Sequence, residues 1–129
     1  MRFALVWVLG LLAASAAGAA QEETLRVGSK RFTESYVLAE IMAQQAQAAG
    51  VKTQVRQGLG NTAIVYEALR SGQIDVYAEY SGTIALEIAK HAQGSDLASL
   101  NAALAPLGLA VGVPLGFNDG YALAMRRQQ

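Results

Sequence analysis

Leu25-Arg26-Val27-Gly28-Ser29-Lys30-Arg31-Phe32-Thr33-Glu34, followed by an apolar stripe and then by Val51-Lys52-Thr53-Gln54-Val55-Arg56-Gln57, carries the pattern strand, helix, strand. Leu25 to Val27 is a short strand ended by Gly28-Ser29. From Glu34 to Ala49 the pairs Val37/Ile41 and Leu38/Met42 recur at i, i+4, Ala46 and Ala49 continue the stripe, and Gly50 supplies the stop, which predicts a helix. In Val51 to Gln57 the residues Val51, Thr53 and Val55 alternate with Lys52, Gln54 and Arg56, the period of a half-buried strand.

The same alternation continues outward. After Gly58-Leu59-Gly60-Asn61 a second helix is predicted from Thr62 to Arg70, with Ile64, Ala68, Val65 and Leu69 inward and Gly72 past its end. Ile74, Val76 and Ala78 then alternate with Asp75, Tyr77 and Glu79 as a third strand. Helices are expected over Thr83 to Lys90 and over Asp96 to Ala105, the latter capped by Ser95, and strands over Leu109 to Val113 and Tyr121 to Met125. Strands alternating with helices predict an α/β fold, a mainly parallel sheet flanked by helices. Ligands of such sheets bind beyond the carboxyl ends of the strands. That rule nominates Ser29-Lys30-Arg31-Phe32-Thr33, Gly58-Leu59-Gly60-Asn61-Thr62, Tyr80-Ser81-Gly82-Thr83 and Gly116-Phe117-Asn118-Asp119-Gly120-Tyr121.

Composition removes several functions. At 129 residues the chain is too short for two full domains of about 100 to 200 residues each. Ten Lys+Arg against ten Asp+Glu leave no cationic excess with which to neutralise phosphates, so nucleic acid is set aside. The absence of Cys excludes a disulfide framework and a thiolate nucleophile, and a single His excludes a multi-histidine metal site. Met1-Arg2, the apolar run Phe3 to Leu12 and the small residues up to Gly18-Ala19-Ala20 have the three-part form of a secretory signal peptide, residues 1–20, with cleavage before Gln21. The apolar stretch is shorter than the about 20 residues that span a bilayer. An exported, nearly neutral chain without cysteine suits a soluble periplasmic protein.

Each candidate motif has a plain structural explanation beside a functional one. Gly58-x-Gly60-x-x-Ala63 fits a dinucleotide fingerprint, yet the preceding strand is polar on alternate positions, and a tight turn from strand to helix accounts for the glycines. Lys30 directly after a strand suits an anionic group, and Thr33 suits a helix cap, although on composition alone a solvated surface lysine is the commoner outcome. Tyr77 fits core packing. Tyr80 and Tyr121 border glycine-containing loops, where ring faces attract cations by about 0.5 to 2 kcal/mol each. Asp75, Glu79 and Asp119 have no nucleophile beside them, and no Ser-His-Asp arrangement exists, so no catalytic constellation or cofactor is expected.

Val27-Gly28-Ser29-Lys30-Arg31-Phe32-Thr33-Glu34, Gly58-Leu59-Gly60-Asn61-Thr62, Glu79-Tyr80-Ser81-Gly82-Thr83 and Pro114-Leu115-Gly116-Phe117-Asn118-Asp119-Gly120-Tyr121-Ala122-Leu123 occur in the order and spacing of one known family. The chain resembles the substrate-binding proteins of glycine betaine/choline/carnitine (osmoprotectant) ABC transporters, over essentially all of residues 21–129. The resemblance implies a type II periplasmic binding protein-like fold, with two lobes closing on a quaternary ammonium compound for delivery to an inner-membrane permease and its ATPase. It implies that Tyr80 and Tyr121 wall an aromatic cage, that Lys30 and Thr83 take a betaine carboxylate, and that the main chain of Asp119 faces the cage. Asp119-Gly120 departs from the Asn-Thr often found there and adds a charge beside the site. The resemblance also implies that residues 21–129 are the N-terminal part of the first lobe, without the second lobe or the returning segment, and with weak or no binding alone. A same-fold receptor for another small amine or thiol-betaine solute, or an interaction module needing a separately encoded second half, are the alternatives.

Overall fold

The computed structural model describes residues 23–118. Their backbone forms β1 (Leu25–Lys30), α1 (Thr33–Ala48), β2 (Thr53–Gly60), α2 (Thr62–Arg70) and β3 (Val76–Tyr77). A short helical turn, α3 (Ser81–Thr83), runs into a π-helical turn over Ile84–Ile88, and α4 (Leu97–Leu104) ends in a 3-10 turn at Ala105–Leu107. The three strands make a parallel sheet in the order β2-β1-β3. The α/β architecture expected from the alternation is therefore present.

Alternation along the central strand puts successive residues against different helices. Val27 packs with Ala39 and Ala43 of α1, and Val55 and Val76 join the same cluster. Tyr77 belongs instead with Val65 and Ala68 of α2 and with Ile74. Gly28 lies on that second side, where a Cβ would come within 2.4 Å of Ile74 Cδ1. The absence of a side chain at Gly28 is what lets Ile74, 1% exposed, lie flat against β1. A third cluster, Ile84, Ala89, Leu100 and Leu104, joins the π turn to α4.

The inward face of α1 differs from the expected stripe. Ser35, Ala39 and Ala43 are its buried residues, whereas Val37 and Ile41 are 54% and 49% exposed. Small residues at i, i+4, i+8 bring the helix axis close to the sheet, and the larger Met42 packs at the margin of the contact. Ile64 of α2 is likewise exposed, leaving Val65 and Ala68 as the buried pair.

Element boundaries depart from the sequence reading for identifiable reasons. Thr33 is the first residue of α1, not its cap; Phe32 holds the N-cap position without a side-chain hydrogen bond. Asp96, not Ser95, caps α4, because its carboxylate accepts from both the Ser99 backbone N–H at 3.0 Å and the Ser99 hydroxyl at 2.6 Å. The helix expected over Thr83 to Lys90 widens instead, with Ala89 N donating to Ile84 O at 2.6 Å, and His91 falls beyond it. Leu109 to Val113 is irregular rather than a strand. There the Asn101 amide accepts from Val111 N at 2.8 Å and donates to Val111 O at 3.1 Å, replacing a neighbouring strand with one side chain. β3 is confined to Val76–Tyr77 at the edge of the sheet. The strand expected over Tyr121 to Met125 and the signal peptide lie outside the described residues.

An outer ion pair sets the start of the β1–β3 pairing. Arg26 Nε and Nη2 donate to Asp75 at 2.9 and 2.6 Å, Arg26 N donates to the same carboxylate at 2.7 Å, and Arg26 Nη1 donates to Gly72 O at 2.5 Å. These hydrogen bonds, with the guanidinium charge, hold the Asp75 carboxyl below the usual carboxylate range. A carboxyl whose folded pKa is depressed stabilises the fold fully above its unfolded value of about 3.9 and loses that contribution as pH falls through the lower folded value.

Two outcomes are expected. Ala39→Leu should destabilise the fold by about 1 to 3 kcal/mol through overpacking against Val27, while Val37→Ala should stay within about 0.5 kcal/mol of the parent, both read by urea denaturation. Asp75→Asn should flatten the acid limb of stability below about pH 4, read as denaturation midpoints from pH 2 to 6.

Candidate functional site

The residues singled out by the strand-end rule meet at the carboxyl edge of the sheet. Lys30 is the last residue of β1, the Gly58–Asn61 turn closes β2, and Glu79-Tyr80 follow β3 by two residues. The β1–β2 register jumps from Gly28↔Arg56 to Lys30↔Gly60, so β2 carries two extra residues opposite Ser29. Ser29 Oγ accepts from Gly58 N at 2.8 Å and so ties down the bulge. Gly58 has φ +69°, a conformation that favours glycine, and a Cβ there would approach the Tyr36 hydroxyl to 3.2 Å. Asn61 caps α2 by accepting from Ile64 N at 3.2 Å. The glycines of the dinucleotide-like motif thus serve a tight strand-to-helix turn.

Lys30 is not a solvated surface lysine; it is 5% exposed. Its Nζ lies 2.5 Å from Glu79 Oε1, the two side chains being 6% and 4% exposed. The same carboxylate oxygen accepts from Tyr80 N at 2.9 Å. Glu79 Oε2 is buried and accepts no hydrogen bond among the described residues. Burial, reinforced by the nearby Glu79 carboxylate, pushes the Tyr77 hydroxyl well above the ordinary tyrosine value, so it remains a neutral phenol.

Aromatic rings surround the ammonium. Lys30 Nζ stands 5.7 Å from the Tyr80 ring centroid and 5.8 Å from that of Phe32, within the range of cation–π attraction. Phe117 meets Tyr80 edge to face, with centroids 6.4 Å apart and planes at 86°. The Tyr80 hydroxyl donates to the Glu34 carboxylate. Phe117 brings the fourth nominated loop to the Tyr80 ring, but Asp119 and Tyr121 themselves lie outside the described residues. Thr83 ends the turn that begins directly after Tyr80 and is half-buried.

Charge decides what these rings can hold. Two like unit charges about 6 Å apart repel by about 3 kcal/mol at an effective dielectric near 20. One ring face returns only about 0.5 to 2 kcal/mol. An uncompensated Lys30 charge would therefore offset most of what these rings offer a further cation.

The structure thus joins Lys30 and Tyr80, as the sequence suggested, and adds Phe32, Phe117, Glu34 and Glu79. Phe32 and Phe117 were inside the nominated loops without a role. In the sequence Glu79 stands out only as a candidate acid or base. The signal for its role is the repeated spacing of Arg26 and Lys30 on β1 against Asp75 and Glu79, which flank β3. Beside the site, a cavity of about 350 Å³ lies along β3, lined by Leu69, Val76, Ile84, Leu104 and Val111 and reached by Glu79. Among the described residues no cluster of three His, Cys, Asp or Glu could hold a metal. None of their helices is long and apolar enough to cross a membrane.

A parallel α/β sheet thus carries a ring-lined charged cluster at its strand ends, the edge at which sheets of this class bind ligands. The family described as "Substrate binding domain of ABC-type glycine betaine transport system" matches residues 23–129, and the chain belongs to it. The chain is 40% identical over 118 residues to the glycine-betaine-binding protein of Pseudomonas aeruginosa PAO1, covering 88% of this chain and 38% of that protein. It is 41% identical over 58 residues to the glycine betaine-binding protein YehZ of Escherichia coli K12, covering 45% of this chain and 19% of that one. The structure of apo YehZ superposes with a TM-score of 0.50 at 31% identity, covering 65% of this chain and 30% of YehZ. The carnitine transport binding protein OpuCC of Listeria monocytogenes is 29% identical over 68 residues, 51% of this chain and 22% of that protein. The chain thus spans well under half the length of these relatives.

Breaking the buried pair on one side leaves an uncompensated charge. Lys30→Met should cost about 3 to 5 kcal/mol of stability, and Lys30→Met combined with Glu79→Leu should recover most of that loss. Urea denaturation of the two single variants and the double variant measures the coupling.

Proposed function

We propose that this chain is the ligand-holding N-terminal part of a solute receptor for an ABC importer of quaternary ammonium osmoprotectants such as glycine betaine, choline and carnitine. The observation that carries the reading is the position of the Lys30 ammonium, 5.7 Å from the Tyr80 ring and 5.8 Å from the Phe32 ring at the strand ends. Rings so arranged attract positive charge without needing hydrogen bonds, which a tetraalkylated nitrogen cannot donate.

In this reading Tyr80 and Tyr121 give ring faces to the ligand's head group, Lys30 and Thr83 take its carboxylate, and Asp119 contributes main chain. The glycine betaine and carnitine named for the relatives support the ligand class. Export by residues 1–20 places the receptor in the periplasm, where it delivers ligand to a permease with its ATPase in the inner membrane. Residues 21–129 supply only one side of the ligand's enclosure, so affinity is low when this part acts alone.

Calorimetric titration with glycine betaine tests the reading. Tyr80→Ala and Tyr121→Ala should each weaken binding by roughly 2- to 30-fold, the equivalent of one ring face. Unchanged affinity in both variants would remove the aromatic cage from the account.

A further inference from the structure

We propose that Glu79 is a specificity-determining residue: it neutralises Lys30 so that the rings beside it can accept a second, ligand-borne cation. The inference rests on the quaternary ammonium reading above and goes further, because it assigns ligand choice to a residue that need not touch the ligand. Lys30 Nζ already stands at cation–π distance from Phe32 and Tyr80. A trimethylammonium group brought to the same rings becomes the neighbour of a fixed positive charge, and the repulsion is at least as large as the attraction of one ring face.

Among the described residues Glu79 is the group placed to remove that repulsion. Its carboxylate is 2.5 Å from the ammonium and buried with it, so the compensation is barely screened by water. Oε1 is also held by the Tyr80 backbone N–H at 2.9 Å, which fixes the carboxylate relative to the residue whose ring is to be used. The Tyr77 hydroxyl, which also faces the carboxylate, stays a neutral phenol, so Lys30 is the cation that Glu79 compensates. The other nearby charges are poorer candidates. Glu34 sits at the hydroxyl end of Tyr80 and is exposed, Arg31 is exposed and adds positive charge, and Asp75 is engaged by Arg26.

Ligands should depend on Glu79 to different degrees. A bare cation brings nothing to offset Lys30 and relies on Glu79 entirely. A betaine carries its own carboxylate, which can lie against Lys30 and partly replace the missing negative charge. Loss of Glu79 should therefore penalise bare cations more than zwitterions.

Tetramethylammonium and glycine betaine, titrated calorimetrically into the whole chain and its variants, read this difference. Glu79→Gln should weaken tetramethylammonium by at least about 10-fold more than glycine betaine. Lys30→Met combined with Glu79→Gln removes both charges and should return tetramethylammonium to within about threefold of the parent while glycine betaine stays weak, which also tests the assignment should Glu79→Gln alone not fold. Equal losses of both probes in Glu79→Gln, or a double variant that has lost tetramethylammonium, would overturn the role of Glu79 and leave the quaternary ammonium reading standing. A parent chain that takes neither probe even at concentrations high enough to fill a low-affinity site would overturn that reading, and this assignment with it.

Discussion

Two cation–carboxylate pairs, Arg26–Asp75 and Lys30–Glu79, join β1 to the chain around β3, and each spans 49 positions of sequence. The backbone ladder between them has the same offset, Val27↔Val76 and Gly28↔Tyr77. The outer pair is about one-third exposed on each side, where such contacts contribute at most about 1 kcal/mol. The inner pair is buried, and desolvation of both ions offsets most of their attraction. Its importance lies in discrimination. A slip of one residue would exchange the two faces of β3 and strand both buried charges without partners. With only two residues in the β3 ladder, side-chain charge supplies register that hydrogen bonds alone would specify weakly.

The same pair ties the fold to the site. Lys30 ends a strand whose residues Val27 and Gly28 are committed to α1 on one face and to Ile74 on the other, so its backbone is fixed before its side chain is placed. Glu79 is fixed from the opposite side by the offset and by the Tyr80 backbone. The ammonium consequently stands at one point between the rings of Phe32 and Tyr80 rather than sampling the many rotamers of a surface lysine. Flexibility removed in this way does not have to be removed when a ligand arrives.

Much of this was legible in the sequence, and the failures have physical causes. The α/β class followed from periods, and the site loops followed from the strand-end rule, because both depend on local patterns. The inward face of α1 did not, because apolarity pointed to Val37 and Ile41 whereas helix-to-sheet distance selected Ser35, Ala39 and Ala43. Asn101 bridging Val111 is invisible to any period, since one amide ten residues away does the work of a strand. Composition points to a solvated Lys30, whereas its burial depends on Glu79, a partner 49 positions distant. Resemblance to known receptors named Lys30 and Tyr80, but only the spatial pairing explains why a buried lysine can stand there.

That pairing bears on a difficulty inherent in any site for zwitterions. A group that attracts the ligand's carboxylate repels its ammonium, and a small ligand keeps the two ends only a few ångströms apart. Separating the attractions by distance is unavailable at that scale, and removing the lysine would abandon the carboxylate. A buried counter-charge resolves the conflict if it is directional, lying on one side of the lysine and leaving donors open on another. Lys30 has three donor hydrogens and gives one to Glu79 among the described residues, so the pair keeps hydrogen-bonding capacity while its net charge approaches zero. In the proposed quaternary ammonium site, rings can then act on the ligand's positive end without a competing field, which is the condition under which a weak attraction such as cation–π becomes decisive.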